Sequence, residues 1–264
     1  MSYHKIFSVI NEHTVSTVIA HYALSIAKSC RAELVLYAAH ADGSNEAVRH
    51  ETDRHLEHLM IVASKLGITA TRITEIGKIV SLLPIRVLAE KADLVFYPLT
   101  PYKRYGTDQQ RRTVCKLLRT IKPDLVVMRA ISMAKPHPGR ILVPLGKLVS
   151  NKERRLMFIL ELAKSYQAQV TLYHLSATRD VQEMPDAVTR FGKQLMQQNI
   201  TVLERMGSGR LGKAITIEAI SHHNDLIVLG ASERGFVRTL FFGSPAGDVM
   251  HQPPCNTMLF RPES

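Results

Sequence analysis

Residues 230–248 read GASERGFVRTLFFGSPAGD, with Gly230 and Gly243 thirteen positions apart, arginines between them and a Ser-Pro directly after the second. Gly230 closes the apolar run LIVL, where the missing Cβ lets a ligand approach the backbone. Ser244 suits a helix N-cap and Pro245 the first helical position. Free N–H groups and the dipole at such an end favour an anion, and Arg234 and Arg238 could add positive charge. This is the chemistry of a phosphate cradle, although a plain capped turn between strand and helix uses the same residues.

A second glycine cluster, GSGRLGKA at 207–214, satisfies both G-x-G-x-x-G and G-x-x-x-x-G-K. A phosphate loop needs a Ser or Thr hydroxyl for magnesium after the lysine, and Ala214 stands there. A dinucleotide fold needs an acidic residue ending the next strand, and that strand ends at Gly230. The stretch reads as a turn from a strand into a helix, with Gly77 at the matching place in the first half.

Other clusters carry weaker chemistry. Glu51, His55 and His58 fall at i, i+4, i+7 on one helix face, a spacing that admits metal ligation but more often makes a polar stripe. His222-His223 can serve a helix C-terminus. His40 and His174 follow closely on a Leu-Tyr pair shared by the two halves, as pocket or core residues. Cys30, Cys115 and Cys255 are widely spaced and odd in number, which argues against a disulfide framework and against zinc. No nucleophile elbow, HExxH or kinase signature is present, so no enzyme activity is expected.

The elements that must position these residues come in duplicate. AKSCRAELVLY (27–37) recurs as AKSYQAQVTLY (163–173), sharing seven of eleven positions when Leu34 and Val170 are counted as equivalent. DLVFYPL (93–99) answers DLIVLGA (225–231), and PDLVVMRA (123–130) answers CNTMLFRP (255–262). Apolar runs predict strands at 4–10, 32–40, 69–75, 93–99 and 124–130, then 139–145, 168–175, 200–206, 225–230 and 256–261. Helices are predicted at 14–30, 45–67, 77–91 and 111–121, then 151–166, 184–199, 210–223 and 245–251. Short strands alternating with helices imply parallel sheets joined by crossovers. Each half therefore reads as a doubly wound α/β domain, over 1–132 and 137–264, with ligands expected beyond the carboxyl ends of the strands.

On these residues the chain resembles a tandem universal stress protein. Family members that bind ATP carry G-x2-G-x9-G-(S/T) after the fourth strand. Here the frame is Gly230-x2-Glu233-x9-Gly243-Ser244, with Glu233 replacing the second glycine and Gly235 as partial compensation. The resemblance implies two five-stranded domains of the adenine nucleotide alpha hydrolase-like type, strand order 3-2-1-4-5, paired through their fifth strands. It implies ATP or AMP, with any magnesium arriving on the nucleotide, held by Gly230, Ser232, Arg234, Gly235, Gly243, Ser244 and Pro245, with Pro144 and Leu175 on the nucleoside side. The family's Asp in a P-x-D pattern after the first strand is missing: Gly146 holds that place in the second half and Asn11 in the first. The first half's loop reads Pro98-x2-Pro101-x9-Arg111-Arg112, and prolines remove donors and stiffen the backbone. Nucleotide binding is expected in the second half alone.

Composition bounds the alternatives. The formal charge is +11, and Lys103 to Lys122 holds seven basic residues against Asp108 alone. A polyanion site there is a rival function, but only Tyr102 and Tyr105 accompany it, too few for a stacking platform, so nucleic acid is not expected. No apolar run reaches the roughly 18 residues a span needs, so a cytoplasmic protein without membrane insertion is expected. A nucleotide-free scaffold for a protein partner, such as a regulator of a transporter, is the remaining alternative, and two chains could associate as a homodimer.

Overall fold

The computed structural model describes residues 2–99, 108–131, 137–147, 152–176, 183–231, 249 and 253–263. The chain divides into two compact units, Met1–Ala130 with Glu263–Ser264, and Ile131–Pro262.

The first unit runs β1 (Lys5–Val9), α1 (Thr14–Cys30), β2 (Glu33–His40), α2 (Glu46–Lys65), β3 (Ala70–Ile76), α3 (Ile79–Ala89), β4 (Leu94–Pro98), α4 (Asp108–Thr120) and β5 (Asp124–Arg129). Its strands lie in the order β3-β2-β1-β4-β5 and every pair is parallel. The second unit runs β6 (Arg140–Leu145), α5 (Lys152–Tyr166), β7 (Gln169–Ser176), α6 (Asp186–Met196), β8 (Val202–Ser208), α7 (Leu211–Ser221), β9 (Leu226–Gly230) and β10 (Asn256–Arg261). Its order, β8-β7-β6-β9-β10, is the same 3-2-1-4-5 pattern, again all parallel. The helix predicted at 245–251 lies outside the described residues except for Val249. No helix among the described residues is long and apolar enough to cross a membrane.

Burial follows the pattern parallel sheets require. Strands β1, β2, β4 and β5 are buried along almost their whole length, because helices cover both faces. The outer strands β3 and β8 expose much of theirs and carry the charged residues Arg72, Glu75, Glu204 and Arg205. Helix α4 begins at residue 108, before the predicted residue 111.

The duplication reaches into the backbone. Left-handed residues occur at matching places: Arg31 and Gln167 (φ 56° and 50°), Gly67 and Asn199 (70° and 62°), Lys91 and His223 (54° and 49°), and Gly77 and Gly209 (138° and 108°). The first three pairs follow helices, where one left-handed residue lets the chain close its last carbonyls and turn into a strand. Five of those six residues are not glycine, so packing holds them against a bias of about 1–2 kcal/mol each.

The aspartate that opens each fourth strand has a shared task. Asp93 accepts hydrogen bonds from the N–H groups of His4 (2.7 Å) and Lys5 (3.2 Å). Asp225 accepts them from Gly139 (2.9 Å) and Arg140 (3.0 Å). Each carboxylate therefore ties the head of the fourth strand to the head of the first. Burial pushes the Asp93 carboxyl above its usual range, opposed by those N–H groups. Asp225→Ala is expected to lower the stability of the second unit by about 2 kcal/mol, read as a lower urea midpoint by circular dichroism, with Asp225→Asn closer to the parent.

Candidate functional site

In the second unit the strand order reverses between β6 and β9: from β6 the chain leaves toward β7, and from β9 toward β10. Strands that part in this way leave a crevice beyond their carboxyl ends. Near those ends a narrow gap between α5 and the sheet, without room for a water molecule in its depth, is lined by Val143 and Pro144 of β6, Val228, Leu229 and Gly230 of β9, Arg155 and Ile159 of α5, and Phe260 of β10. Phe158 of α5 stacks on Phe260 with ring centroids 4.3 Å apart.

Of the residues proposed from sequence, Pro144 and Gly230 are brought together here. Leu175 is half-buried on β7, where it pairs in register with Gly207, and is not among the residues lining the gap. Ser232, Arg234, Gly235, Gly243, Ser244 and Pro245 lie outside the described residues, as do Glu233 and Phe236. Gly146, where the family's aspartate would stand, is exposed.

Sequence reasoning missed Arg155. It is only 8% exposed, and its guanidinium lies against Gly230, so that a Cβ at residue 230 would overlap it. Its Nε has no hydrogen-bond partner, and among the described residues it has no ion pair. Burial pushes its pKa below the usual arginine value, but a guanidinium stays protonated in a protein. A signal was available: Arg155, Phe158, Ile159 and Leu162 fall at i, i+3, i+4 and i+7, so the arginine occupies a place on an apolar stripe.

The decoy motif at 207–214 has a structural cause. Gly207 lies inside β8, and a Cβ there would collide with the hydroxyl of Tyr173. Tyr37, the matching tyrosine of the first unit, instead donates its hydroxyl to Glu75 (2.6 Å), whose carboxylate also pairs with Arg86 of α3. In the second unit the ion pair is reversed in sense: Arg205 on β8 reaches Glu218 on α7 at 2.7 Å. The glycine makes room for a ring, and Gly209 supplies the turn into α7.

The corresponding end of the first unit is occupied by its own polar groups. Asn11 accepts the N–H of His13 on its side chain (3.0 Å), and its carbonyl accepts from Nδ1 of His55 (2.9 Å) and from the Ser16 hydroxyl (3.1 Å). Buried His55 thus braces a loop, with Nε2 3.2 Å from Glu51, while His58 is exposed. Among the described residues no group of three His, Cys, Asp or Glu is placed to hold a metal ion. His40 and His174 are both buried, and His174 turns Nδ1 to the carbonyl of Leu145 at 2.9 Å. His222 sits at the end of α7, 3.5 Å from Glu218. In the basic segment, Arg112, Lys116 and Arg119 form an exposed stripe on α4 opposite buried Val114, Leu117 and Leu118. Lys103 and Arg104 lie outside the described residues. No disulfide joins the three cysteines; burial, followed by the charge of Asp225, pushes the Cys255 thiol up to about 12.

Residues 138–261 match the model of the universal stress protein family. The fold is similar to that of a universal stress protein from Archaeoglobus fulgidus DSM 4304, with 16% identity, 98% of this chain and 97% of that chain covered, and a TM-score of 0.69. A functionally unknown protein from Pseudomonas aeruginosa PAO1 shares it at 15% identity, covering 98% and 93%, with a TM-score of 0.67. So does the cytoplasmic domain of a prokaryotic cation chloride cotransporter, at 10% identity, covering 98% and 95%, with a TM-score of 0.60. At such identities the likeness is one of fold. No curated protein sequence matches the chain significantly.

Proposed function

We propose that this protein, whose residues 138–261 match the model of the universal stress protein family, is a non-catalytic, cytoplasmic module that binds an adenine nucleotide through that half alone and acts as a regulator in stress response. The observation that carries the reading is the crevice at the ends of β6 and β9, where Pro144 and Gly230 meet and from which the Gly243-Ser244 frame follows at the family's spacing. Backbone N–H groups of that frame would face the phosphates and the crevice walls the nucleoside, with magnesium accompanying the nucleotide. The first half supports the asymmetry: Pro98 ends β4, and the place after β1 is taken up by Asn11, Ser16 and His55.

A second reading draws on Gly146, which leaves the nucleoside without its acidic anchor. In that reading the protein is a nucleotide-free scaffold for a protein partner, including a transporter-associated regulator; the same fold serves as the cytoplasmic domain of a cation chloride cotransporter.

A thermal-shift panel of ATP, AMP and adenosine, with and without magnesium, separates the two. A ligand present at about 100 times its Kd adds roughly 2.7 kcal/mol to a folded state that alone binds it, so ATP or AMP is expected to raise the melting temperature of the second unit by several degrees. A flat panel, together with no nucleotide retained in native mass spectrometry, overturns the nucleotide reading in favour of the scaffold.

A further inference from the structure

We propose that Arg155 is the charge-bearing residue of the second unit's ligand site, receiving one compact oxyanion, a phosphate or phosphomonoester group, at the mouth of the β6/β9 crevice beside Gly230. The inference rests on reading that crevice as the ligand site, and it adds the residue that carries the charge and the chemical class that meets it.

A buried charge is stable only when it is paired and its donors are used. Among the described residues Arg155 meets neither condition: Nε is buried without a partner, and no ion pair reaches the guanidinium. The walls around it, Val143, Ile159, Val228, Leu229 and Phe260, are apolar. An arginine cannot escape the problem by losing its proton. Five N–H donors in a planar fork match the oxygens of a phosphate or carboxylate group, so an incoming oxyanion supplies what the fold omits.

The duplicated chain gives an internal control. The shared segments at 27–37 and 163–173 place Arg155 where the first unit has Ile19, which is fully buried on α1. Strand register places Gly230 where the first unit has Pro98. In one unit the helix that packs on the fourth strand brings an isoleucine, and the strand ends in proline. In the other both positions differ, with a cation and a residue without a Cβ. The glycine is what admits the guanidinium.

The test is Arg155→Met, which keeps the length of the side chain and removes its charge, compared with the parent by thermal shift in inorganic phosphate, AMP and adenosine at matched ionic strength. The unliganded variant is expected to melt at or above the parent temperature, because an unpaired buried charge has gone. Stabilisation by phosphate and AMP is expected to vanish, and any response to adenosine to persist. Equal responses of parent and variant to phosphate and AMP overturn the role of Arg155 and leave the nucleotide reading intact. A parent that responds to neither overturns it as well. A phosphate response lost in the variant, with no response of the parent to any nucleotide, supports the anion site and removes the nucleotide reading. Should the methionine variant fail to fold, Arg155→Lys retains charge without the fork, and calorimetric titration with AMP is expected to show about tenfold weaker binding; undiminished affinity overturns the proposal.

Discussion

Gly243→Asp is expected to give a folded protein that no longer binds an adenine nucleotide measurably. In the frame that follows Gly230, residue 243 is the glycine directly before Ser244-Pro245, a pair whose residue types suit a helix start. Such an end attracts anions through unpaired N–H groups and the helix dipole. Placing a carboxylate there adds a side chain where a phosphate should lie and sets two negative charges side by side. At about 4 Å and an effective dielectric constant near 20, that repulsion amounts to roughly 4 kcal/mol, equivalent to about a thousandfold in Kd. Titration calorimetry against ATP and AMP reads the loss, while unchanged far-ultraviolet circular dichroism shows that the fold persists. Retained affinity in the variant would sink the assignment of this loop, whatever the ligand.

Asp124→Ala is expected to destabilise the first unit by about 3 kcal/mol, since two hydrogen bonds to a buried carboxylate are lost together. Asp124 opens β5 and is fully buried. One oxygen accepts the hydroxyl of Tyr3 at 2.7 Å, and the other accepts the N–H of Glu263 at 2.7 Å. Tyr3 is itself 1% exposed, so removing the carboxylate takes a 2.7 Å acceptor from a buried hydroxyl. Tyr3→Phe should be milder, at about 1 kcal/mol, because it removes donor and desolvation demand at once. The pair should then combine less than additively, as groups sharing one bond do. Chemical denaturation of the four species measures the coupling, and strict additivity would show that the Tyr3–Asp124 bond contributes nothing to stability.

Much of the fold is legible in the sequence because the relevant signal is local. Short Val- and Leu-rich runs alternating with amphipathic segments specify parallel strands and crossover helices, and the observed elements fall close to the predicted ranges. The repeat is legible too, and it extends further than side chains: non-glycine residues such as Lys91 and His223 adopt the same left-handed conformation at the same place in each half. A motif was less reliable. The glycines at 207–214 match two phosphate-binding patterns in spacing, yet Gly207 exists for the ring of Tyr173. A glycine pattern records where a Cβ is not tolerated, and a neighbouring side chain excludes a Cβ as effectively as a ligand does.

By itself the sequence determined that the chain is two α/β halves of one design, and that Gly230, Gly243 and Ser244 stand in the second half where Pro98, Arg111 and Arg112 stand in the first. Tertiary structure alone decided that Arg155 lies on Gly230, seventy-five positions along the chain, and that His55 braces Asn11 from another helix. It also decided that Asp225 ties two strand heads together. Periodicity tells which face of an element turns inward, because that depends on neighbours three or four residues away. Which end of which strand that face then meets depends on how the elements cross, and so on contacts no local pattern encodes.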